Sequence, residues 1–283
     1  MKKIIINLIE KISRLFSKVF YITRMGRLVI DTITIQAMDR IIKVNYNGES
    51  YFFTSPNYLN HWRIKTFYLK EPETLEWIDD NINKDSIFWD IGANIGLYSI
   101  YAAKTKNCSV YSFEPSVFNL ELLSRNIYSN GLVEKITILP FPLTSSMEFS
   151  KLNLTTTTWG GAISSFGQNA IGHDGKIIKK RFEFKTIGLT IDSTVNLLNV
   201  PNPNYIKMDV DGIEHLILCG GINVLKTVKS VLIEINDDFQ EQSVMSSKIL
   251  KESGLKLSKK LHSKLVDDMP EYAKTYNQIW IRP

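Results

Sequence analysis

Residues 88–99 read FWDIGANIGLYS: a short apolar run, an acid, then two glycines four apart around a small loop. The spacing Asp90-x-Gly92-x-x-x-Gly96 is neither the G-x-G-x-x-G of dinucleotide enzymes nor a P-loop, which needs Gly-Lys-Ser/Thr. A carboxylate at the mouth of the turn would repel a phosphate, so the loop is shaped for something else. Around it the chain alternates. SIFWDIG is followed by the helical LYSIYAAKT, CSVYSFEP by NLELLSRNIYSNG, and KITILPF is the third strand. Farther on, NYIKMDV and KSVLIEIN read as buried strands with IEHLILCGGINVL helical between them, and LKLSKKL and NQIWIRP supply two last strands. Short apolar strands alternating with helices specify an α/β fold, a doubly wound and mostly parallel sheet, here of seven strands.

In such a sheet, ligands bind outside the carboxyl ends of the first strands. Asp90 stands at the end of one strand, and Glu114, in YSFEP, ends the next. An acid at that second position is placed to accept hydrogen bonds from both hydroxyls of a ribose. The turn offers no lysine for phosphate, and Gly92 permits close backbone approach. A nucleoside with a positively charged tail suits this site, which points to S-adenosylmethionine. The competing reading makes Asp90 a helix cap and Glu114 a solvated strand end, and leaves the register of two acids and two glycines unexplained.

The remaining sequence narrows the class. Cys108 and Cys219 lack metal-ligand spacing, so a disulfide framework or zinc site is not expected and a reducing, cytoplasmic setting is. The net charge of +5 is unevenly spread: residues 1–27 hold seven Lys or Arg and one acid, leaving −1 for the rest. The body is therefore no nucleic-acid binder. In the leader, Ile5, Leu8, Ile9, Ile12, Leu15, Phe16, Val19 and Phe20 recur at helical steps, giving a basic amphipathic helix. It packs on the body or a partner, or lies on the inner face of a membrane. Residues 31–55 read as short strands, with Asn47-Gly48 as a hairpin turn. Residues 145–200 are a long interruption, containing TTTTWGGAISSFGQ and an edge-like KKRFEFKTIGLTID, with Trp159 a candidate to stack on an acceptor.

At this point EPET, DIGANIGLYS, FEPSVFNLELLSRNIYSNGL, IKMDVDGIEHLILCGG and VLIEIN together resemble the FkbM family of methyltransferases. The resemblance runs from about residue 60 to 240 and leaves the leader outside. It implies a Rossmann-like class I methyltransferase sheet and O-methylation of hydroxyls on sugars, glycolipid or polysaccharide units, or related natural products. It also implies that Glu71, Asp90, Gly92, Asn94, Gly96, Glu114, Pro115 and Asn119 line the cofactor site. The expected organisation is a basic helix over 1–30, a small β/helical extension over 31–70, and the methyltransferase domain over 71–283, with the 145–200 insertion as a candidate acceptor loop.

Methylating an alcohol requires in-line approach to the methyl group and removal of a poorly acidic proton, hence a general base or a metal. KMDVDGIEH supplies Asp209, the first candidate, then Asp211, then His215. Asp211-Gly212 also reads as a turn and helix cap, and His215 as a surface histidine. Lys207 and Glu234 interrupt neighbouring apolar strands and are expected to pair, or Glu234 to reach toward the acceptor. Magnesium at Asp209 with Asn236, Asp237 and Asp238 is chemically sound but not favoured, because acidic loops at strand ends are common without metal. The rival readings are an RNA or protein methyltransferase and a non-catalytic S-adenosylmethionine-binding subunit. The NPNY of 202–205 precedes its strand instead of ending it, and the intact turn and acids argue for catalysis.

Overall fold

The computed structural model describes residues 2–262 and 272–283. Two helices lead, α1 (Lys2–Phe20) and α2 (Arg24–Met38), then a hairpin, β1 (Ile41–Tyr46) and β2 (Glu49–Thr54), and three helices, α3 (Tyr58–Lys65), α4 (Phe67–Lys70) and α5 (Pro72–Asn81). The alternating region follows: β3 (Ile87–Ile91), α6 (Leu97–Lys106), β4 (Ser109–Phe113), α7 (Val117–Ser129) and β5 (Ile136–Leu139). The insertion holds β6 (Glu148–Leu154), β7 (Ser164–Phe166) and β8 (Phe182–Gly188). The chain then returns through α8 (Ile191–Leu198), β9 (Tyr205–Met208), α9 (Glu214–Cys219), α10 (Ile222–Leu225), β10 (Ser230–Asn236), α11 (Gln240–Glu252), β11 (Lys256–Leu261) and β12 (Thr275–Ile281).

Seven strands form one sheet in the order β11-β12-β10-β9-β3-β4-β5. Neighbours from β10 to β5 pair parallel, while β12 runs antiparallel to both β10 and β11. The sheet is doubly wound and mostly parallel, as the alternation of strands and helices predicts. The chain steps outward from β3 in both directions, so the crevice opens at the carboxyl ends of β3 and β9. Both faces are covered. Phe88 and Val110 pack with α5–α7 and the hairpin on one side, and Trp89 and Ile206 with α8, α9 and α11 on the other.

Two details depart from the sequence expectations. Residues 31–38 are helical, the second half of α2, although Thr32, Ile33, Thr34 and Ile35 are β-branched. Thr23 caps the helix through Gly26 N–H at 3.0 Å, and the Thr32 and Thr34 hydroxyls donate back to the carbonyls of Leu28 and Ile30. The stretch IEHLILCGGINVL is two helices, not one, broken at Gly220-Gly221. A β-carbon at Gly220 would meet the Thr144 carbonyl at 2.3 Å, so the pair of glycines lets this segment press against the strap before β6. The insertion is itself a small antiparallel sheet, β7-β6-β8, with β8 on its edge as the alternation predicts. No described helix is long and apolar enough to cross a membrane.

Candidate active site

The turn after β3 is held by its neighbour strand. The N–H groups of Gly92 and Ala93 both donate to the Phe113 carbonyl at 3.0 Å, and Asn94 N–H donates to Glu114 Oε2 at 2.9 Å. Gly92, Asn94 and Gly96 all carry positive φ, of 83°, 52° and 86°. Glu114 is buried, its other oxygen accepting from Ser116 N–H at 2.8 Å. Burial pushes its carboxyl up to about 7, against the pull of those backbone donors.

Two adjoining cavities open here, of about 250 Å³ and about 60 Å³. Gly92, Asn94, Ala162, Asp209 and Asp211 line both. Glu114, Pro115 and Asn119 face only the smaller one. Glu71, Lys207 and Glu234 face only the larger. The ribose-type acid thus lies on one side of the Asp209–Asp211 pair and a wider chamber on the other. This set fits S-adenosylmethionine: a carboxylate pre-set by two amides, a turn that only glycine can form, and acids along the rim.

Asp90 does not reach either cavity. It lies beneath the turn, where Ser99 Oγ donates to its Oδ2 at 2.5 Å and Lys207 Nζ stands 3.8 Å from Oδ1. It ties β3 to the first turn of α6, and Gly96 likewise shapes the turn without lining the cleft. His215 is buried 4% exposed, its ring edge-on to Phe239 at 5.6 Å, and lines neither cavity. The structure brings Asp209 and Asp211 together and leaves His215 out of the cleft, buried and therefore no surface histidine either. Trp159 is also outside both cavities, its indole N–H donating to Glu121 Oε2 at 3.1 Å.

Lys207 does not pair with Glu234. The strand register sets Lys207 opposite Asp90 on one side and Leu232 on the other, two residues short of Glu234. Its ammonium lies 3.4 Å from Asp209 Oδ2. Burial works against that charge, and the carboxylates of Asp209, Asp90 and Glu71 outweigh it and keep Lys207 protonated. Glu71 accepts from Lys70 at 2.6 Å and from the Tyr98 hydroxyl at 2.8 Å. Burial would raise its carboxyl, but Lys70 and Lys207 hold it well below the usual carboxylate range. Burial, then the charges of Asp209 and Glu71, push Glu234 far above that range, against the pull of Lys70.

The insertion closes the smaller cavity. Asn94 and Asn119 both donate to the Gly161 carbonyl, at 3.0 and 3.1 Å, and Gly160 N–H donates to Asn119 Oδ1. Ile163 N–H donates to Asp211 Oδ2 at 2.7 Å. Asp211 itself sits at φ 63°, a sparsely populated conformation for a non-glycine residue. Burial, then the neighbouring Asp209 charge, raises its carboxyl above the ordinary range. The residues at the end of β10 turn elsewhere: the Asn236 amide donates to the His173 carbonyl, and Asp237 pairs with Lys260. Among the described residues no three His, Cys, Asp or Glu side chains cluster to hold a metal ion.

The methyltransferase FkbM domain model matches residues 90–271, from Asp90 through the turn, Glu114, the insertion and the Asp209–Asp211 pair. The chain belongs to the FkbM methyltransferase family. It is thus an S-adenosylmethionine-dependent methyltransferase. It is 27% identical over 209 residues to the hexuronic acid methyltransferase AglP of Haloferax volcanii, covering 74% of this chain and 79% of that one. Solved structures it matches include TYW2 of M. jannaschii in complex with AdoMet, at 12% identity and TM-score 0.43 over 86% of this chain and 87% of that one. Another is the precorrin-6y C5,15-methyltransferase of Geobacter metallireducens, at 13% identity and TM-score 0.41 over 75% and 86%.

Sequence reasoning missed several residues of this FkbM methyltransferase's cleft. Trp62, Arg63, Lys70 and Tyr272 line the larger cavity. They stand on short helices or in loops, where periodicity carries no mark of a shared cleft.

Proposed function

We propose that this FkbM methyltransferase transfers a methyl group to a hydroxyl of a sugar or glycan. The observation that carries the reading is the position of Asp209 and Asp211 at the junction of the two cavities. A hydroxyl entering from the wider chamber meets carboxylates beside the cofactor's turn. The hexuronic acid methyltransferase relative supports a sugar acceptor. So does Trp62, an aromatic face in the chamber wall on which a pyranose ring can lie.

Bound S-adenosylmethionine supplies a methyl group on a positively charged sulfur. Glu114 accepts the ribose hydroxyls, and the Gly92–Gly96 turn with the amides opening α6 receives the methionine end. Asp211 is the base: burial and the neighbouring Asp209 charge raise its carboxyl, while Asp209 is held in an ion pair with Lys207 at 3.4 Å. The acceptor hydroxyl passes its proton to Asp211 as its oxygen takes the methyl group. Asp209 and Lys207 orient the acceptor and keep the acids of the site balanced. Labelled-methyl transfer into fractionated cell extract tests this. Label in glycan or glycolipid, stable to mild base, is the expected result; label in RNA or protein overturns it.

We also infer that α1 rests on an anionic lipid surface. Leu8, Ile9, Ile12, Leu15, Phe16 and Val19 are each at least half exposed along this helix, with Lys11, Arg14 and Lys18 beside them. A second copy of so basic a helix would bring like charges together, whereas anionic headgroups complement it.

A further inference from the structure

Among the described residues three cations line the larger cavity: Arg63, Lys70 and Lys207. Two of them stand against carboxylates of the protein, Lys70 on Glu71 at 2.6 Å and Lys207 between Asp209 and Asp90 at 3.4 and 3.8 Å. Arg63 differs. Among the described residues no carboxylate lies within ion-pair distance of its guanidinium, and its Nε is buried without a hydrogen-bond partner. A buried donor left unmatched in a ligand cavity is a cost that a ligand acceptor removes. The planar fork of an arginine matches a carboxylate with two parallel hydrogen bonds.

Where that carboxylate belongs follows from the two cavities. Glu114 and Pro115 face only the smaller one, whereas Trp62, Arg63 and Tyr272 face only the larger, beyond the shared Asp209 and Asp211. The methionine carboxylate of the cofactor has a receptor of its own at the start of the ten-residue helix α6, where Leu97 and Tyr98, with Ile95 in the turn before them, line the same cavity. Arg63 is next to Trp62 in the chain and near enough to Asp211 for its charge to act on that carboxyl. A sugar ring against Trp62 with an acid group on Arg63 therefore presents its hydroxyls toward Asp211. We infer that the acceptor is an acidic sugar, a uronic acid or equivalent carboxylated pyranose, and that Arg63 reads its carboxylate. This rests on the sugar-methylating function proposed above and adds the substrate class and the residue that selects it.

The test compares glycans ending in a hexuronic acid with the same glycans ending in the matching neutral hexose, using full-length wild-type, Arg63→Gln and Arg63→Lys proteins. Thermal melts confirm that each variant is folded, and calorimetry gives its affinity for S-adenosylmethionine. The wild type is expected to prefer the acidic acceptor by about a hundredfold in kcat/KM. Arg63→Gln reduces that preference to within about threefold through KM, Arg63→Lys retains part of it, and cofactor affinity stays within about twofold. Equal or better methylation of the neutral glycan by the wild type overturns the inference while leaving sugar methylation standing. A tenfold loss of cofactor affinity in Arg63→Gln, with acceptor preference intact, overturns it too, because Arg63 then serves the cofactor's own carboxylate. Methylation of neither glycan sinks both the inference and the proposed function beneath it.

Discussion

A β-carbon built on Gly92 would lie 1.9 Å from the carbonyl oxygen of Asp209. The turn after β3 and the loop after β9 therefore touch through backbone alone, and no side chain fits between the cofactor turn and the acids. Gly92 also needs φ of 83°, which a residue with a β-carbon adopts only under strain. Gly92→Ala is expected to destabilise the protein by about 2–4 kcal/mol and to abolish cofactor binding. Urea denaturation and calorimetry check the two effects; a variant that binds with unchanged affinity contradicts the contact.

Glu114 sets a pH dependence. Its carboxyl titrates at about 7 in the folded protein because burial disfavours the charge, and ribose hydroxyls need the charged acceptor. Cofactor affinity should hold above pH 7 and fall as pH drops through it, by about tenfold at pH 6. Glu114→Gln should bind more weakly at every pH and lose this dependence. Binding isotherms between pH 6 and 8 decide it.

The two aspartates should separate in kinetics. Asp211→Asn removes the proposed base, and kcat should fall by about 10²- to 10⁴-fold with cofactor affinity little changed. Asp209→Asn leaves the base in place, and its larger effect should be on acceptor KM. In the wild type, kcat should fall as pH drops through the raised Asp211 titration, above the ordinary carboxylate range. A wild-type acid limb retained in Asp211→Asn would reassign the base.

Lys207 is 2% exposed between Asp90 and Asp209. Lys207→Met fills the same space but leaves two carboxylates without their cation, one of them fully enclosed. A loss of about 3–5 kcal/mol in stability is expected. Lys207→Met with Asp90→Asn should recover part of it, which denaturation of the double variant measures.

Reversing Lys11, Arg14 and Lys18 to glutamate should release the protein from vesicles rich in anionic lipid, while methyl transfer to a soluble acceptor stays unchanged. Each basic residue contributes about 1 kcal/mol at such a surface, so added salt should weaken the wild-type interaction in parallel. Equal sedimentation with neutral and anionic vesicles would rule out the electrostatic part.

The strands were legible because each obeys a local rule. FWDI, VYSF and YIKM are short apolar runs between turn residues, and Asn47-Gly48, at φ 49° and 80°, makes the hairpin turn its residue types favour. The site was legible only in part. Glu71, Gly92, Glu114, Asp209 and Asp211 stand in the cleft, but Asp90, in the most telling motif of all, is underneath it. A residue that ends a strand can face the crevice or the next helix, and Ser99 decided between them. The α2 helix, by contrast, ran against its β-branched composition because hydroxyl groups returned to its own backbone.

Sequence by itself determined the doubly wound sheet, the glycine turn after the first strand, the acid after the second strand and the pair of acids after β9. These depend on periodicity and on residues a few positions apart. Tertiary structure alone decided that Lys207 faces Asp90 and not Glu234, that Gly161 closes the cleft on Asn94 and Asn119, and that Arg63 is the unmatched cation in the wall. The first two join residues more than 40 positions apart. Strand register and helix packing bring them together, and neither is written in the local pattern of either partner.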